Sequence, residues 1–337
     1  MPDTVLIVTN DHDEHADAVI VELNKRGVPV FRFHPEDFPH ACSVSLEIQD
    51  GRIQGEIRAA DRRVAFDDIC AAWYRRSRNL YMGPVSRTSE KLDDYVKAQS
   101  TATVVAVCAG LETLWVSHPF RLRRGEVKAL QLAEAARAGL ATPHTLISND
   151  PERAATFVGA LGDTECAIKP LQAIGVTDEQ GYRLPLTTTL PPGYSLESLA
   201  LAPTMLQPYV EKAFELRCVV IGDTIFSAKM DSQADEKSRI DWRGGDPEHE
   251  IFTLPEQVEA AIHRMMDSFE LNFASLDMIV TPEDEYVFLE LNPNGQWLWL
   301  EYELGLPLVA TMADLLTSDH PSARRPADDA KGALSAS

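Results

Sequence analysis

The segment 274–297 constrains the fold more than any other, because its pattern indicates a β-hairpin with polar side chains at one strand end. Two apolar, β-prone runs, 276–280 and 286–291, flank the polar stretch 281–285, which has turn composition. The sequence Pro-Asn-Gly follows and ends the second strand. Because functional residues are often placed at the ends of rigid elements, we expect a site here.

Two polar residues of the second strand, Glu290 and Asn292, share one face because side chains alternate along a strand. If Val280 pairs with Val287, Asp277 lies opposite Glu290 and three oxygen donors point the same way. Oxygen donors without His or Cys suit Mg²⁺, which keeps water and phosphate as further ligands. The alternative is that Asp277 and Glu290 are solvated residues on the exposed face of an ordinary hairpin.

The composition is that of a globular protein, since 45% of the 337 residues are hydrophobic, and the length allows two or three domains. The formal net charge of −21 argues against a general nucleic-acid-binding surface, which needs a basic face. The five cysteines include no C-x-x-C pair, which indicates reduced, buried thiols. No basic targeting segment precedes the first strand and no apolar run has membrane-spanning length, so we expect a cytoplasmic protein without a membrane partner.

Residues 1–117 are predicted to form a doubly wound α/β domain. A short apolar run at 5–8 indicates a strand buried on both faces, and an amphipathic helix and a second strand follow it. An Asp-Gly pair predicts a hairpin within 44–57, and 69–74 indicates another strand. Three arginines follow that strand, either as a solvated strand end or as a patch that faces a ligand: Arg75, Arg76 and Arg78.

Residues 118–205 are predicted to form a second unit, which opens with a helix from Arg124 to Ala138. The helix is expected to place three residues on its core face: Val127, Leu130 and Ala133. Lys128 lies in its first turns, where a lysine is usually solvated. Lys169 ends an apolar strand, and a cation buried there would need an anionic partner.

Residues 206–317 are predicted to form a third unit that contains the hairpin, and 318–337 a disordered tail. Glu215 and Arg217 alternate with apolar residues, so both face one side of a strand. They serve there either as ligand contacts or as a surface ion pair. Lys229 ends the next strand.

The hairpin resembles the metal-binding strands of the ATP-grasp ligases, which end in carboxylate-x-Asn and are preceded by an Asp. Here these residues are Glu290, Asn292 and Asp277. The sequences F-L-E-L-N-P-N-G-Q-W and W-Y-R-R-S-R resemble one branch, the graspetide maturases of the microviridin type. The resemblance runs from about residue 5 to 316. It implies an N-terminal pre-ATP-grasp domain followed by a two-lobed ATP-grasp fold, with an α+β arrangement in the latter part.

The resemblance also assigns cations to the phosphates of ATP. Lys128, in the segment K-x-x-x-L-x-x-A, and Lys169 match the two phosphate-binding lysines of the family. Lys229 is a further candidate. Arg217 is assigned to the γ-phosphate or to an acyl phosphate.

Five residues are assigned to the adenosine of ATP by the same resemblance: Gln207, Tyr209, Val210, Glu211 and Glu215. The stretch from Gln207 to Val210 matches the hinge strand whose backbone pairs with adenine. Proline has no N–H and one lies within this stretch, so the donor must be Tyr209 or Val210. Glu215 is favoured for the ribose hydroxyls, and Glu211 is the second choice.

ATP and Mg²⁺ are the cofactors that the resemblance implies, and a ribosomal precursor peptide is the partner. An Asp or Glu side chain of the peptide attacks the γ-phosphate, and a Ser or Thr hydroxyl or a Lys amine then displaces phosphate. Arg243 matches a family loop near the reacting carboxyl, and Asp241 is a candidate base. The leader of the peptide is expected near Thr177 to Thr189. Dimers are common among relatives, so a homodimer is a further expectation.

Two alternatives stay open. An ATP-grasp ligase with another acceptor, such as one that adds glutamate to a protein C-terminus, would keep the same ATP and metal residues. A nucleotide-binding regulatory protein without turnover would lose a metal ligand or a phosphate cation, whereas this chain has all six: Lys128, Lys169, Arg217, Asp277, Glu290 and Asn292. The sequence does not decide between ester and amide products, the number of rings or the precursor.

Overall fold

The computed structural model describes residues 3–75, 90–172, 175–178, 181–183, 187–191, 193–233, 245 and 247–318. Helices and sheets mix throughout these residues, so the predicted α/β class is confirmed. Some predictions lie outside the described residues, namely those for Arg76, Arg78, Asp241, Arg243 and the tail.

The first part of the chain contains a parallel sheet and an antiparallel sheet. Its elements are β1 (Thr4–Val8), α1 (Glu14–Lys25), β2 (Val30–Phe33), β3 (Cys42–Gln49), β4 (Arg52–Ala59), β5 (Arg62–Ala65), β6 (Ile69–Tyr74), α2 (Glu90–Gly110) and β7 (Leu114–Val116). The parallel sheet has the order β2-β1-β6-β7, and the buried strand β1 lies inside it, as its apolar run predicts. The predicted hairpin is β3–β4, and Asp50 and Gly51 at its turn have positive φ angles of 52° and 76°.

The second part contains a four-stranded sheet of the order β12-β9-β13-β8 and a separate hairpin, β10–β11. Its elements are α3 (Pro119–Gly125), α4 (Lys128–Ala138), β8 (Leu146–Ser148), α5 (Pro151–Ala160), β9 (Cys166–Lys169), β10 (Val176–Asp178), β11 (Gly181–Arg183), β12 (Thr188–Thr189) and β13 (Thr204–Pro208). Strand β13 pairs with β9, so Lys169 at the end of β9 lies beside Met205. The hairpin β10–β11 falls in the segment predicted to contact a leader peptide.

The prediction of one helix from Arg124 to Ala138 is wrong in two respects. The chain forms two helices, because Val127 between them has a non-helical backbone with ψ of 97°. The core face also differs, since Val127 is 50% exposed. The buried residues of α4 are Gln131, Leu132, Ala135 and Ala138. A polar glutamine therefore occupies a core position that the apolar pattern did not indicate.

The third part contains a five-stranded antiparallel sheet of the order β16-β15-β14-β17-β18. Its elements are β14 (Phe214–Ile221), β15 (Thr224–Met230), β16 (His249–Ile251), α6 (Glu256–Phe269), β17 (Phe273–Val280), β18 (Tyr286–Asn292), α7 (Leu298–Leu304) and α8 (Leu308–Thr317). The hairpin expected from the sequence is β17–β18. Helix α7 was not predicted, because seven residues are too few to show a repeating apolar pattern.

All five cysteines are free, and all but the half-buried Cys70 are buried. Burial raises the pKa of Cys42, Cys108 and Cys218 to about 12, so these thiols stay protonated at neutral pH. Among the described residues, no helix is both long and apolar enough to cross a membrane.

Candidate active site

The register of the hairpin β17–β18 places Asp277 directly opposite Glu290, as predicted. The assumed pairing of Val280 with Val287 is wrong, because Val280 pairs with Tyr286. A β-bulge next to Asp277 inserts one extra residue into β18 and shifts the register by one. Between the turn and the bulge, the pairing is therefore offset by one residue from the predicted register. Beyond the bulge the predicted register is restored, and the two carboxylates lie on one face.

The third predicted metal ligand, Asn292, pairs with Ser275, two residues before Asp277. Asn292 is exposed, and its Oδ1 accepts a hydrogen bond of 3.2 Å from the N–H of Asn294, which orients the amide. Within the described residues, no three His, Cys, Asp or Glu side chains form a metal-binding group. The predicted set combines the amide oxygen of Asn292 with the carboxylates of Asp277 and Glu290, and oxygen donors of this kind fit Mg²⁺.

Two cations contact these carboxylates. The guanidinium of Arg217 donates through Nη1 to Oδ1 of Asp277 at 2.7 Å, and Nζ of Lys128 lies 3.4 Å from Oε1 of Glu290. Arg217 comes from β14, the neighbour of β17, whereas Lys128 is the first residue of α4. The two residues predicted to contact phosphate therefore pair with two of the predicted metal ligands. The formal charges of these four side chains sum to zero.

The loop that follows β18 holds Arg217 in place. Nη2 of Arg217 donates to the carbonyl oxygen of Gln296 at 2.8 Å. A Cβ atom on Gly295 would lie 2.5 Å from Cβ of Ser275 and 3.0 Å from that Nη2. Only glycine therefore allows the loop to approach β17 and Arg217 this closely.

Arg75 of the first domain contacts the same loop, and its side chain is fully buried. The alternative that it forms a solvated strand end is therefore wrong. Nε of Arg75 donates to Asp13 at 3.0 Å, and Nη1 donates to the carbonyl oxygen of Gly295 at 3.3 Å. Burial opposes ionisation of Asp13, but the Arg75 charge and hydrogen bonds from Thr9 and Arg75 outweigh it and lower the pKa of Asp13.

His15 of α1 joins the first domain to the start of α7. Its Nε2 accepts hydrogen bonds from the backbone N–H groups of Trp297 and Leu298, at 3.0 and 3.1 Å. These N–H groups belong to a helix start that has no side-chain cap of its own. No local sequence pattern indicates this contact, because a histidine on a helix 282 residues away supplies the acceptor.

Glu215 and Arg217 lie two residues apart on β14 and share a face, as predicted. Oε1 of Glu215 accepts a hydrogen bond of 2.6 Å from Nζ of Lys212, and both side chains are buried. Burial raises the pKa of Glu215, although Lys212 and a hydrogen bond from Ser232 oppose the rise. The sequence prediction missed Lys212, which pairs with the carboxylate that was favoured for ribose.

The predicted adenine hinge lies at the end of β13. Gln207 is buried, and its Nε2 donates to the hydroxyl of Thr145 at 2.9 Å. The backbone N–H of Tyr209 donates to the carbonyl oxygen of Glu165 at 2.7 Å. Of the two predicted donors, Val210 is thus the one whose N–H makes no backbone hydrogen bond within the described residues.

The remaining predicted contacts lie nearer the surface. Lys229 pairs with the exposed Glu250 at 2.6 Å, and its Nζ lies 5.0 Å from the ring centroid of Phe214. Glu211 is exposed and Lys169 half-buried. The structure thus brings Lys128, Arg217 and the three predicted metal ligands together, whereas Lys229 is engaged with Glu250.

Two family models match consecutive parts of the chain. The MvdD pre-ATP grasp domain matches residues 4–121. The RimK-like ATP-grasp domain matches residues 124–316, which is more than half of the chain. No match was found among curated proteins.

Several solved structures are similar over nearly their whole length. The RiPP-associated ATP-grasp ligase of Chryseobacterium gregarium, solved with ADP and a leader and core peptide, is 26% identical; the match has a TM-score of 0.88 and covers 96% of this chain and 98% of that one. The macrocyclase MdnC of Microcystis aeruginosa, solved with the precursor peptide MdnA, is 29% identical, with a TM-score of 0.81 and coverage of 93% and 99%. The macrocyclase MdnB of the same organism is 24% identical, with a TM-score of 0.76 and coverage of 94% and 99%, and at that identity it shows the fold alone.

Proposed function

Because the chain belongs to the RimK-like ATP-grasp family, we propose that it is an ATP-dependent ligase that closes rings in a ribosomal precursor peptide. The observation that carries the proposal is the similarity to MdnC, a macrocyclase solved with its precursor peptide, over 93% of this chain. That similarity includes the N-terminal domain, which the MvdD model also matches. The peptide acceptor is thus inferred from the similarity to MdnC, and the use of ATP is inferred from the family.

Asp277, Glu290 and Asn292 would hold Mg²⁺, since their oxygen atoms share one face of the hairpin. Mg²⁺ bound there would offset negative charge on the transferring phosphate. Arg217 and Lys128 lie within 2.7 and 3.4 Å of these carboxylates, close enough to contact phosphates bound at the same place. Lys169 and Lys229 are further candidates for phosphate contacts.

Adenosine would lie against the end of β13, where the N–H of Val210 can donate to the base. Glu211 is the better candidate for the ribose hydroxyls, because it is exposed and Glu215 already holds Lys212. This reverses the preference drawn from the sequence. Gln207 would hold the hinge through Thr145.

The proposed reaction has two steps. A peptide carboxylate oxygen attacks the γ-phosphorus of ATP, the bond to the β-phosphate oxygen breaks, and ADP leaves. A hydroxyl or amine of the same peptide then attacks the acyl carbon, phosphate leaves, and an ester or amide closes the ring. Arg243 is proposed to face the reacting carboxyl, and Asp241 to accept the proton of the nucleophile.

The hairpin β10–β11 is proposed as the leader site, since it overlaps the segment from Thr177 to Thr189 and forms a strand pair apart from the larger sheets. The relative from Chryseobacterium gregarium was solved with both a leader and a core peptide. We place the protein in the cytoplasm, where ATP is available and where five free cysteines stay reduced.

Mass spectrometry of the peptide product tests the proposal. A short peptide encoded beside this protein, rich in Asp or Glu and in Ser, Thr or Lys, should lose the mass of one water for each ring when ATP and Mg²⁺ are present. The same peptide with its carboxyls methyl-esterified should lose none, because the attacking oxygen is blocked. ATP consumption with a different acceptor, and no water loss from such a peptide, would favour the ligase for another acceptor.

A further inference from the structure

Gln131 of α4 binds the backbone of the metal-binding strand. Its Nε2 donates to the carbonyl oxygen of Leu291 at 2.8 Å, and its Oε1 accepts from the N–H of Leu291 at 3.0 Å. The same Nε2 also donates to the carbonyl oxygen of Gly125 at the end of α3, at 2.6 Å. Gln131 is 2% exposed, so its amide is removed from water, and both its nitrogen and its oxygen make hydrogen bonds.

These bonds are important because Leu291 lies between two predicted metal ligands on an edge strand. Leu291 lies between Glu290 and Asn292, and β18 is the last strand of its sheet. The outward backbone groups of an edge strand have no neighbouring strand to pair with. The amide of Gln131 supplies one donor and one acceptor to a single residue, as a neighbouring strand would.

The same helix also contacts the side chain of a predicted metal ligand. Lys128 lies three residues before Gln131, so both project from one side of α4. Lys128 reaches the carboxylate of Glu290, and Gln131 reaches the backbone of the next residue. Helix α4 therefore contacts β18 in two ways, through an ion pair with the side chain of Glu290 and through hydrogen bonds to the backbone of Leu291.

We infer that Gln131 is a positioning residue, which fixes the distance between Lys128 and the two ligands on β18 and thereby sets the affinity for Mg²⁺. The inference rests on the nucleotide and Mg²⁺ site proposed above, but not on the identity of the acceptor. Partners that orient metal ligands without touching the metal change its affinity by about 10-fold to 100-fold when they are removed.

The alternative is that Gln131 only anchors α4 to the rest of the protein. Arg264 of α6 provides the matched control, because its Nε and Nη2 bind the carbonyl oxygen of Ala138 at the other end of α4, at 3.0 and 2.7 Å. Gln131→Met and Arg264→Met each remove two or more hydrogen bonds that dock α4. Only the first removes bonds to β18.

The first measurement is the Mg²⁺ concentration that supports half-maximal binding of a non-hydrolysable ATP analogue, read by calorimetry without any peptide. Gln131→Met should raise this concentration about 10-fold, and Arg264→Met should leave it near the wild-type value. Equal values for Gln131→Met and wild type would overturn the inference. If the wild-type protein did not bind the analogue in the presence of Mg²⁺, that result would contradict the proposed function. It would also contradict the positioning role, which depends on the proposed site.

The second measurement is amide hydrogen exchange in the absence of nucleotide. The Leu291 amide should lose protection in Gln131→Met, while the amide of Val219 in the middle of β14 keeps it, because only the former bonds to the glutamine. If Gln131→Met does not fold, Gln131→Glu retains the acceptor for the Leu291 N–H but loses the donor. It should raise the Mg²⁺ requirement in the same calorimetric titration, and an unchanged requirement would again overturn the inference.

Discussion

Asp277 and Glu290 each contact one cation, Arg217 and Lys128 respectively. The Lys128–Glu290 pair is partly exposed, and ion pairs that water can reach contribute about 0–1 kcal/mol to stability, so this pair is better explained by function than by stability. If Mg²⁺ and phosphate were bound there together, the carboxylates would serve as ligands of the metal and the cations as contacts of the phosphate, so each charge would keep a counter-charge.

The residue-scale prediction concerns Glu290. Glu290→Gln keeps the size of the side chain but removes the charge that is proposed to bind Mg²⁺, so ATP turnover should fall by about 100-fold or more. The change should affect stability little, because Glu290 is half-buried and water can solvate its partner Lys128. ATP hydrolysis or ligation measured over a range of Mg²⁺ concentrations checks the prediction.

Glu283→Gln is the matched control, since Glu283 is exposed in the turn of the same hairpin. It should behave like the wild type at every Mg²⁺ concentration. Equal turnover in both variants would show that Glu290 is a solvated strand residue, which is the alternative that the sequence left open.

At the scale of elements, the loop between β18 and α7 is held from two sides. Arg217 of β14 binds the carbonyl oxygen of Gln296, and Arg75, which follows β6, binds that of Gly295. His15 of α1 then accepts from the first N–H groups of α7. The first domain thus contributes to the position of Arg217, the residue that contacts Asp277.

Asp13, the partner of Arg75, provides the prediction at this scale. Both side chains are fully buried, so Asp13→Asn leaves the arginine charge without its counter-charge and should lower the free energy of unfolding by about 3–5 kcal/mol at neutral pH. Because the pKa of folded Asp13 lies below its value of about 3.9 in the unfolded chain, this stabilisation is present above that pH. It is lost as the pH falls through the folded-state pKa.

Denaturant unfolding of the wild type and of Asp13→Asn at several pH values checks this prediction, and the difference between them should shrink in acid. Asp17→Asn in the first turn of α1, the helix that Asp13 caps, is the control, because Asp17 is 54% exposed and pairs with Arg32. It should change the free energy by at most about 1 kcal/mol. A difference for Asp13→Asn that did not depend on pH would contradict the assigned ion pair.

The sequence was sufficient for features that depend on neighbouring residues. The hairpin β17–β18 and the βαβ opening follow from alternation and helical spacing, which are local. The sequence was insufficient to predict the contacts of Arg75, His15 and Gln131, because each is a polar residue buried against a segment more than 100 residues away. The bulge in β18 was also missed, since an alternating pattern assumes a regular ladder.

At the scale of the whole molecule, the similarity to peptide-bound relatives extends over both matched regions. The contacts of Arg75 with the loop after β18 and of His15 with the start of α7 connect the two regions physically. The N-terminal domain contacts the loop that binds Arg217, so it supports the candidate active site. The chemistry itself is proposed to take place on the residues of the ATP-grasp part.

The measurement that tests the central claim most directly follows an oxygen atom from the peptide to phosphate. The claim is that a peptide carboxylate attacks the γ-phosphate and that phosphate later leaves from the acyl carbon. A precursor peptide with isotope-labelled oxygen in its side-chain carboxyls should therefore transfer one labelled oxygen to phosphate for each ring closed, as measured by mass spectrometry of both products. Ring closure that yields unlabelled phosphate would contradict the acyl phosphate mechanism.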